Sequence, residues 1–312
     1  MYNFMKEGKN MDISSVLIYL KDLLATVMIL LTMMSPAFGG DGAKYQAENP
    51  DELIMSFAAV SDTHIETNNP KSFEAFYNLL EGVKAGEDHD AVFYLGDNVM
   101  NGQLLENFFF YTGVRSVKPS DNNYVVLGNH DIGNGQGDYD SLFQSFYGFN
   151  KFILGNNVEK GYYYRVINGC YMIVLASEDL TVDTCIMSQQ QLDWLKSILD
   201  EAKSKNAPIF VFNHHPLYYL SGVPSDSLAN LLSGYDNLLY IHGHIHDHLG
   251  ADNFIQEGGV NTINLPRSTE VVDYEPGDGI VVEVYKDEVL VRGRDFITGE
   301  WIEGLEYRYP LG

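Results

Sequence analysis

The segment LLYIHGHIH, residues 238–246, does most to decide the fold class of this chain. It begins as a short apolar run that predicts a buried strand, and histidines follow the run directly. Alternate residues of an extended segment point to the same side, so His244 and His246 would present two imidazoles on one side, an arrangement that suits metal binding. The alternative interpretation is a solvated histidine-rich loop, a role that His242 and His248 fit.

Four other segments share this design, in which an apolar strand is followed at once by His, Asp or Asn. They are VSDTH at 60–64, LGDN at 95–98, LGNHD at 127–131 and FNHHP at 212–216. Taken singly, each has an ordinary explanation, such as Asp62 capping a turn. In an open α/β sheet, however, ligands collect beyond the carboxyl ends of the strands. The five segments together therefore predict one metal-binding site.

Between these segments, strand-like runs alternate with amphipathic ones, which predicts a layered α/β domain. The first half reads as strands at 53–60, 91–95 and 124–127 and helices at 71–83 and 104–112. A hairpin is predicted around Asn168-Gly169, from 162–166 and 171–176. A helix over 188–203 begins with Ser188 and Gln191 in capping-box spacing. Further strands are predicted at 208–212, 238–241, 280–285 and 289–292.

The order and residue types of the five segments resemble the calcineurin-like metallophosphoesterase superfamily, whose pattern is D-x-H, G-D, G-N-H-D/E, H-x-P and G-H-x-H. The resemblance covers roughly Met55 to Leu265 and fills every motif position. It includes the helical run Gln189–Leu195, of a kind that bacterial members often carry between the third and fourth motifs. It implies an α/β fold in which two mixed β-sheets pack as a sandwich flanked by helices.

The resemblance also implies a centre of two divalent or trivalent metal ions, Fe, Mn or Zn, since carboxylate and amide oxygens with imidazole nitrogens suit these ions. One ion would be held by Asp62, His64 and His246. The second would be held by Asn129, His214 and His244. Asp97 would bridge the two ions. A hydroxide between them would then attack a phosphodiester or a phosphomonoester.

Four further side chains near the motifs receive predicted roles. In the family, the position of His130 is not a ligand but stabilises charge or protonates the leaving oxygen, and Asp131 would orient its ring. For His215, which precedes Pro216, packing and a substrate contact both stay open. His89 lies in a polar stretch and is interpreted as solvated.

Departures from two subfamily patterns narrow the activity. Met100 stands where purple acid phosphatases place a tyrosine, and residues 96–102 lack the arginine of Ser/Thr protein phosphatases. The chain is more similar to class III cyclic-nucleotide phosphodiesterases and to secreted phosphomonoesterases. The aromatic segments Phe108–Tyr111 and Phe143–Phe152 are interpreted as a loop that could stack a nucleobase, or as core.

Composition sets limits on the partners. The formal net charge is −24, from 19 Lys and Arg against 43 Asp and Glu in 312 residues. Binding long nucleic acid needs clustered cations, so a small phosphate ester is the favoured substrate class and long DNA or RNA is disfavoured. No protein partner is evident. A non-catalytic metal-binding interaction module on the same fold is the alternative function.

Residues 1–40 read as a signal peptide, because the apolar run 25–34 is followed by small residues that suit a peptidase site near Ala37 to Gly40. An uncleaved membrane anchor and a buried helix are the alternatives. We therefore expect a phosphoesterase domain at 41–312 and an exported protein, secreted, periplasmic or at the cell surface. Cys170 and Cys185 could form a disulfide or remain buried thiols.

Overall fold

The computed structural model describes residues 44–86, 88–269 and 277–312, so the predicted leader at 1–40 lies outside the described residues. The strands are β1 (Met55–Val60), β2 (Ala91–Tyr94), β3 (Asn123–Val125), β4 (Tyr163–Ile167), β5 (Cys170–Val174), β6 (Cys185–Ile186), β7 (Ile209–Phe212), β8 (Leu220–Ser221), β9 (Leu238–His242), β10 (Phe254–Glu257), β11 (Val260–Asn264), β12 (Asp278–Val284), β13 (Glu288–Asp295) and β14 (Glu300–Pro310). The helices are α1 (Pro70–Lys84), α2 (Leu104–Val117), α3 (Tyr139–Phe149), α4 (Gln189–Ser204) and α5 (Ser227–Leu232). A π-helical turn, Asn150–Leu154, extends α3.

Two mixed sheets carry the fold. The first has the order β14-β13-β12-β1-β2-β3, with β1, β2 and β3 parallel and the remaining strands antiparallel to their neighbours. The second has the order β10-β11-β9-β7-β5-β4, parallel from β5 through β7 and β9 to β11. The strands β6 and β8 form a short separate pair. Each of the five motif segments follows one of the parallel strands.

Aromatic side chains pack the two sheets face to face. Phe57 of β1 lies edge-on to Phe210 and Phe212 of β7, with ring centroids 5.0 and 5.7 Å apart. Phe93 of β2 stacks on Phe212 at 3.9 Å. Every residue of β1 is buried, as is usual for strands that are covered on both faces. These contacts confirm the predicted sandwich of two mixed sheets.

Helices cover the outer faces of both sheets. Phe76 of α1 stacks on Phe110 of α2, and Phe110 meets Tyr94 of β2 edge-on at 5.4 Å. On the second sheet, Leu195 and other apolar residues of α4 join one buried cluster with α5 and the strands below. Among the described residues, no helix combines the length and the apolar character needed to cross a membrane.

The local predictions hold in part. The hairpin of β4 and β5 forms, and the Ser188 side chain accepts a hydrogen bond from the Gln191 amide at 3.2 Å. The second half of the capping box is wrong: the Gln191 side chain bonds both main-chain groups of Ala176 instead. The reason is that this side chain is completely buried and links α4 to the end of β5.

Two predictions about single regions are wrong. The loop interpretation of the aromatic segments is wrong, because they form α2, α3 and the π-helical turn. The helix predicted at 104–112 is confirmed, and Phe109 and Phe110 are core residues, which was the alternative interpretation. His89 is not solvated, since it is 3% exposed and stacks on Tyr45 with ring centroids 4.3 Å apart. The covering residue precedes β1, far from His89 in sequence. Cys170 and Cys185 are both buried free thiols.

Candidate metal centre

The five motif loops meet at one rim of the sandwich. The loops after β1, β2 and β3 come from the first sheet, and those after β7 and β9 come from the second. Five residues of these loops have φ between +40° and +75°, a region that non-glycine residues enter at a cost. They are Asp62, His64, Asp97, His244 and His246. Such strain concentrates at functional sites, where the surrounding structure enforces it.

The first group of candidate ligands combines the loops after β1, β2 and β9. Asp62, His64, Asp97 and His246 each offer one donor atom, and these atoms lie within 4.8 Å of one another. The Nε2 atoms of His64 and His246 are 3.2 Å apart. His246 Nε2 is 2.9 Å from Asp62 Oδ1. Of this group, His246 is the member that reaches solvent.

The second group combines the loops after β2, β3, β7 and β9. Asp97, His214 and His244 meet the same distance limit. Asn129 joins them, because its Oδ1 lies 3.1 Å from His214 Nε2 and 3.1 Å from His244 Nδ1. The structure thus brings together all seven residues that the motifs predict as ligands.

Asp97 belongs to both groups through one oxygen. Its Oδ2 lies 3.1 Å from His214 Nε2 and 3.9 Å from His64 Nε2. The other oxygen, Oδ1, accepts a hydrogen bond from the His130 amide at 2.8 Å. The carboxylate is therefore oriented with one oxygen between the two groups, which is the arrangement that a bridging ligand needs.

Hydrogen bonds from neighbouring residues orient two other candidate ligands, Asp62 and His214. Asp62 Oδ2 accepts from the Ser61 hydroxyl at 2.5 Å and from the His244 amide at 3.1 Å, so Oδ1 faces the site. His214 Nδ1 donates to the Leu95 carbonyl at 2.9 Å, which leaves Nε2 for the site. Such outer contacts fix the tautomer and angle of a ligand. Ser61 could have been recognised from the sequence, because its hydroxyl side chain directly precedes the candidate ligand Asp62.

The predicted role of Asp131 is corrected by its contacts. Its carboxylate accepts hydrogen bonds from the amides of Asn98, Val99 and Gly128 and from the Asn98 side chain, at 2.8 to 3.1 Å. The His130 ring instead uses Nδ1 to donate to the Met100 carbonyl at 2.7 Å. Asp131 therefore ties the loop after β2 to the loop after β3, and the Met100 carbonyl orients the ring.

Glycines of the motifs make room for the ligands. At Gly96, where φ is +92°, an added Cβ would lie 2.7 Å from Nδ1 of His214. At Gly243, an added Cβ would overlap the Ser61 hydroxyl and Asp62 Oδ2. These close approaches explain why the segments after β2 and β9 each have glycine directly before a ligand.

Buried carboxylates and histidine rings in the site shift one another's pKa values. Burial lowers the pKa of His214, but the carboxylates of Asp97 and Asp62 outweigh burial and raise this pKa to about 9. Burial raises the pKa of Asp62, but His214, His246 and His64 outweigh it and hold the pKa well below its usual range. Burial and the nearby Asp97 raise the pKa of Asp131 to about 7.

The donor set fits metal ions. Asp62 and Asp97 are 0% and 1% exposed, and among the ion pairs of the described residues they pair only with histidines. A buried carboxylate needs a cation nearby, and two buried carboxylates beside facing imidazole nitrogens suit divalent metal ions. The grouping of oxygen and nitrogen donors matches Fe, Mn or Zn better than Mg or Ca.

Four other histidines lie in or directly after the motif segments. The His130 ring lies edge-on to His64, with centroids 4.8 Å apart, and is partly exposed. His215 is 1% exposed and packs against His214 and His244, which favours the packing interpretation. His242 is also buried, so its interpretation as a solvated loop residue is wrong, whereas His248 is exposed.

Comparison with known proteins adds a family match. A family model described as calcineurin-like phosphoesterase matches residues 55–248. Among curated proteins, none matches the sequence. Solved structures that resemble the fold include TT1561 of Thermus thermophilus, at 12% identity and TM-score 0.43, over 83% of this chain and 99% of that one. A serine/threonine phosphatase from Saccharomyces cerevisiae has 14% identity and TM-score 0.40, over 91% and 86%. A predicted phosphoesterase from Streptococcus pneumoniae TIGR4 has 12% identity and TM-score 0.38, over 82% and 97%.

Proposed function

Since the chain belongs to the calcineurin-like phosphoesterase family, we propose that it hydrolyses a small phosphate ester, a diester or a monoester, at a centre of two metal ions. The observation that carries the proposal is the position of Asp97 Oδ2, which both ligand groups share. A carboxylate oxygen between two sets of donors supports a dinuclear centre over two independent sites.

The bound ions would supply Lewis acidity, acidifying water and neutralising charge on the phosphoryl oxygens. The residues of the chain do the rest. Asp62 and Asp97 each keep one anchored oxygen, so the donors are oriented before any ion binds. This preorganisation reduces the cost of assembling the site.

His130 is the side chain best placed to act on the substrate. Its Nδ1 donates to Met100, so Nε2 is the ring nitrogen left for a phosphoryl or leaving oxygen. The ring is partly exposed beside His64, at the edge of the first ligand group. We assign it the stabilisation of charge on the phosphate, or donation of a proton to the leaving oxygen.

The test is hydrolysis by the full-length chain of bis(4-nitrophenyl) phosphate and 4-nitrophenyl phosphate, with Mn²⁺, Fe²⁺, Zn²⁺ or chelator. We expect metal-dependent turnover of at least one ester and a metal content of two ions per chain. Asp97→Asn should lower both the metal content and the rate, because the shared anionic oxygen is lost. Asp193→Asn, on the exposed face of α4, is the matched control.

The same experiment separates the alternatives. Two bound ions without hydrolysis of either ester would favour the non-catalytic interaction module. A content of one ion per chain with full activity would contradict the dinuclear centre. The preferred ester would decide between a phosphodiesterase and a phosphomonoesterase.

A further inference from the structure

A further loop, which carries none of the five motifs, reaches the rim of the candidate ligands. The strand β11 lies beside β9 and runs parallel to it, so residues 265–269 leave the second sheet at the same rim as the motif after β9. The register places Asn264 opposite His242, and the Leu265 amide donates to the His242 carbonyl at 2.7 Å. The segment 265–269 therefore begins directly beside the start of the loop that supplies His244 and His246.

The same segment is fastened to the loop after β1. The Ser268 amide donates to the Ser61 carbonyl at 2.9 Å, and the Ser61 amide donates to the Ser268 hydroxyl at 3.0 Å. The Thr269 hydroxyl donates to the Thr63 carbonyl at 2.5 Å. These contacts lie on both sides of Asp62 in the chain. The segment 265–269 is thus held between the loops after β1 and β9, which supply three of the four members of the first ligand group.

Arg267 lies between these two attachments and is half-buried. Its Nε donates to the Thr269 carbonyl at 2.8 Å, which orients the guanidinium group. Among the described residues, Nη1 and Nη2 have neither a hydrogen bond nor an ion pair. Burial is the main reason that the pKa of His64 is lowered, and the positive charge of Arg267 lowers it too. The guanidinium group is therefore within electrostatic reach of the first ligand group and still has N–H donors to offer.

Arg267 is also exceptional in the sequence of this rim. In the two main sheets, the loops after the parallel strands span residues 61–69, 95–103, 126–138, 175–184, 213–219, 243–253 and 265–269. Arg267 is the only lysine or arginine in these ranges, whereas Asp or Glu occurs in most of them. A cation next to the metal centre is therefore not a sample of the general surface charge, which is strongly negative.

We propose that the terminal nitrogens of Arg267 bind phosphoryl oxygens of the substrate, and that this residue selects phosphomonoesters over phosphodiesters. The inference rests on the proposed function and adds the ester class to it. Near neutral pH a monoester has three non-bridging oxygens and a charge close to −2, whereas a diester has two such oxygens and a charge of −1. The N–H fork of arginine matches phosphate oxygens, and its attraction grows with the charge of the ligand.

The first experiment measures the ester preference. The full-length chain loaded with Mn²⁺ receives 4-nitrophenyl phosphate or bis(4-nitrophenyl) phosphate at pH 8. In each reaction the oxygen of water bonds to phosphorus, 4-nitrophenolate leaves with the electron pair of its P–O bond, and the proton of water passes to solvent. We expect Arg267→Gln to lower kcat/KM about tenfold for the monoester but about threefold for the diester, because half the charge gives half the interaction free energy.

Matched variants separate the charge of Arg267 from its structural contact. Arg115→Gln, at an exposed arginine in the last turn of α2, should leave both rates unchanged. Arg267→Lys keeps the charge but loses the hydrogen bond to Thr269, so we expect its monoester kcat/KM to stay within about threefold of wild type. Equal losses for the two esters in Arg267→Gln would overturn the proposal, as would equal losses in the lysine and glutamine variants.

A binding measurement keeps this result separate from the proposed function. Calorimetric titration with inorganic phosphate and with dimethyl phosphate, on the Mn²⁺-loaded chain freed of excess metal, needs no turnover. We expect Arg267→Gln to raise the Kd of inorganic phosphate about tenfold, with normal metal content, and Arg115→Gln to leave this Kd unchanged.

The two proposals then fail in different ways. If wild type cleaves neither ester, the proposed function fails, but the Kd of inorganic phosphate still tests Arg267. If wild type cleaves an ester and Arg267→Gln keeps the same preference between the two esters, the role of Arg267 alone fails. Equal affinity for inorganic phosphate in wild type and Arg267→Gln, or a loss of metal in that variant, would overturn the inference whether or not an ester is cleaved.

Discussion

At Asp97 and at Asp62, the two oxygens of one carboxylate have different tasks. One oxygen accepts hydrogen bonds from the chain, and the other faces the ligand groups. The donors that anchor them are main-chain amides of other motif residues, His130 for Asp97 and His244 for Asp62. The third and fifth motifs therefore supply ligands of their own and also orient a carboxylate of another motif, so these motifs depend on one another.

The two roles of residue 130 can be separated by mutation. His130→Ala removes the ring but keeps the amide that holds Asp97, so we expect two bound ions and a kcat lowered by about 10² to 10⁴-fold, the usual size of general acid–base assistance. Metal analysis by mass spectrometry and steady-state kinetics on the same sample check this. Retained activity at full metal loading would contradict the catalytic role of the ring. Loss of metal in proportion to the loss of activity would show that the ring maintains the metal site instead.

Asp131→Asn should act on stability. The amide that replaces one carboxylate oxygen would set N–H donors against the amides of Asn98, Val99 and Gly128, which now have an acceptor. Leaving buried donors unpaired costs about 1–3 kcal/mol each, so we expect a clear fall in the free energy of unfolding of the metal-free chain. Urea unfolding checks it. A variant of wild-type stability whose kcat alone is lowered would instead support the role first predicted for Asp131, as an orienter of His130.

Among the elements, those predicted correctly have local causes. Asn168-Gly169 suits a tight hairpin turn, and the side chain of Ser188 caps the helix that follows. The five motif segments follow strands as predicted, because each strand and the loop after it are contiguous in sequence, so the apolar run and the polar residues that follow it are both visible there. The aromatic run 108–111 lies in a helix that was predicted correctly, but its uninterrupted hydrophobic residues left two roles open, core packing and stacking on a nucleobase.

The rest depended on contacts between distant segments. The strand order could be predicted only from the family resemblance, because an apolar run indicates a strand but not the strands with which it pairs. Gln191 has the spacing of a capping residue, yet its side chain is taken by Ala176. His242 reads as one of several histidines in a loop, yet it ends a buried strand. In each case a tertiary contact outweighed the local pattern.

The loop after β9 provides a prediction at this scale. Gly243→Ala would drive a methyl group into the Ser61 hydroxyl and Asp62 Oδ2, so we expect loss of metal binding and of activity. Gly148→Ala in α3 is the matched control, because nothing lies within 4 Å of its added Cβ and alanine favours a helix by about 1 kcal/mol. Metal content and thermal unfolding of both variants check this. Normal metal content in Gly243→Ala would contradict the close approach of the two loops.

On the scale of the whole molecule, the residues before β1 close the end of the sandwich opposite the motif loops. Tyr45 pairs with Gly86 after α1, stacks on His89 and reaches Glu283 of β12 through its hydroxyl at 3.3 Å. Arg292 of β13 pairs with the same glutamate and packs over Trp301 of β14. This cluster joins four separate parts of the chain, which is why His89 is buried despite its polar sequence neighbours.

The burial of His89 makes the free energy of unfolding fall as the pH is lowered. Burial, followed by the charge of Arg294, lowers its pKa to about 3, against about 6.5 in an unfolded chain. Between these values the unfolded chain binds a proton that the folded chain does not, so the contribution is fully present above pH 6.5 and is lost as the pH falls toward 3. At pH 5 the loss is about 2 kcal/mol relative to pH 7, because each pKa unit corresponds to about 1.4 kcal/mol.

His89→Phe isolates this contribution, because phenylalanine can still stack on Tyr45 but binds no proton. We expect the free energy of unfolding of wild type to fall by about 2 kcal/mol more than that of the variant between pH 7 and pH 5. Urea unfolding of both chains in chelator removes any contribution from metal binding. The other buried histidines remain in both chains, so their effect cancels in the difference. Parallel pH profiles would show that His89 is protonated in the folded chain, and the stacked contact with Tyr45 would then not exclude water.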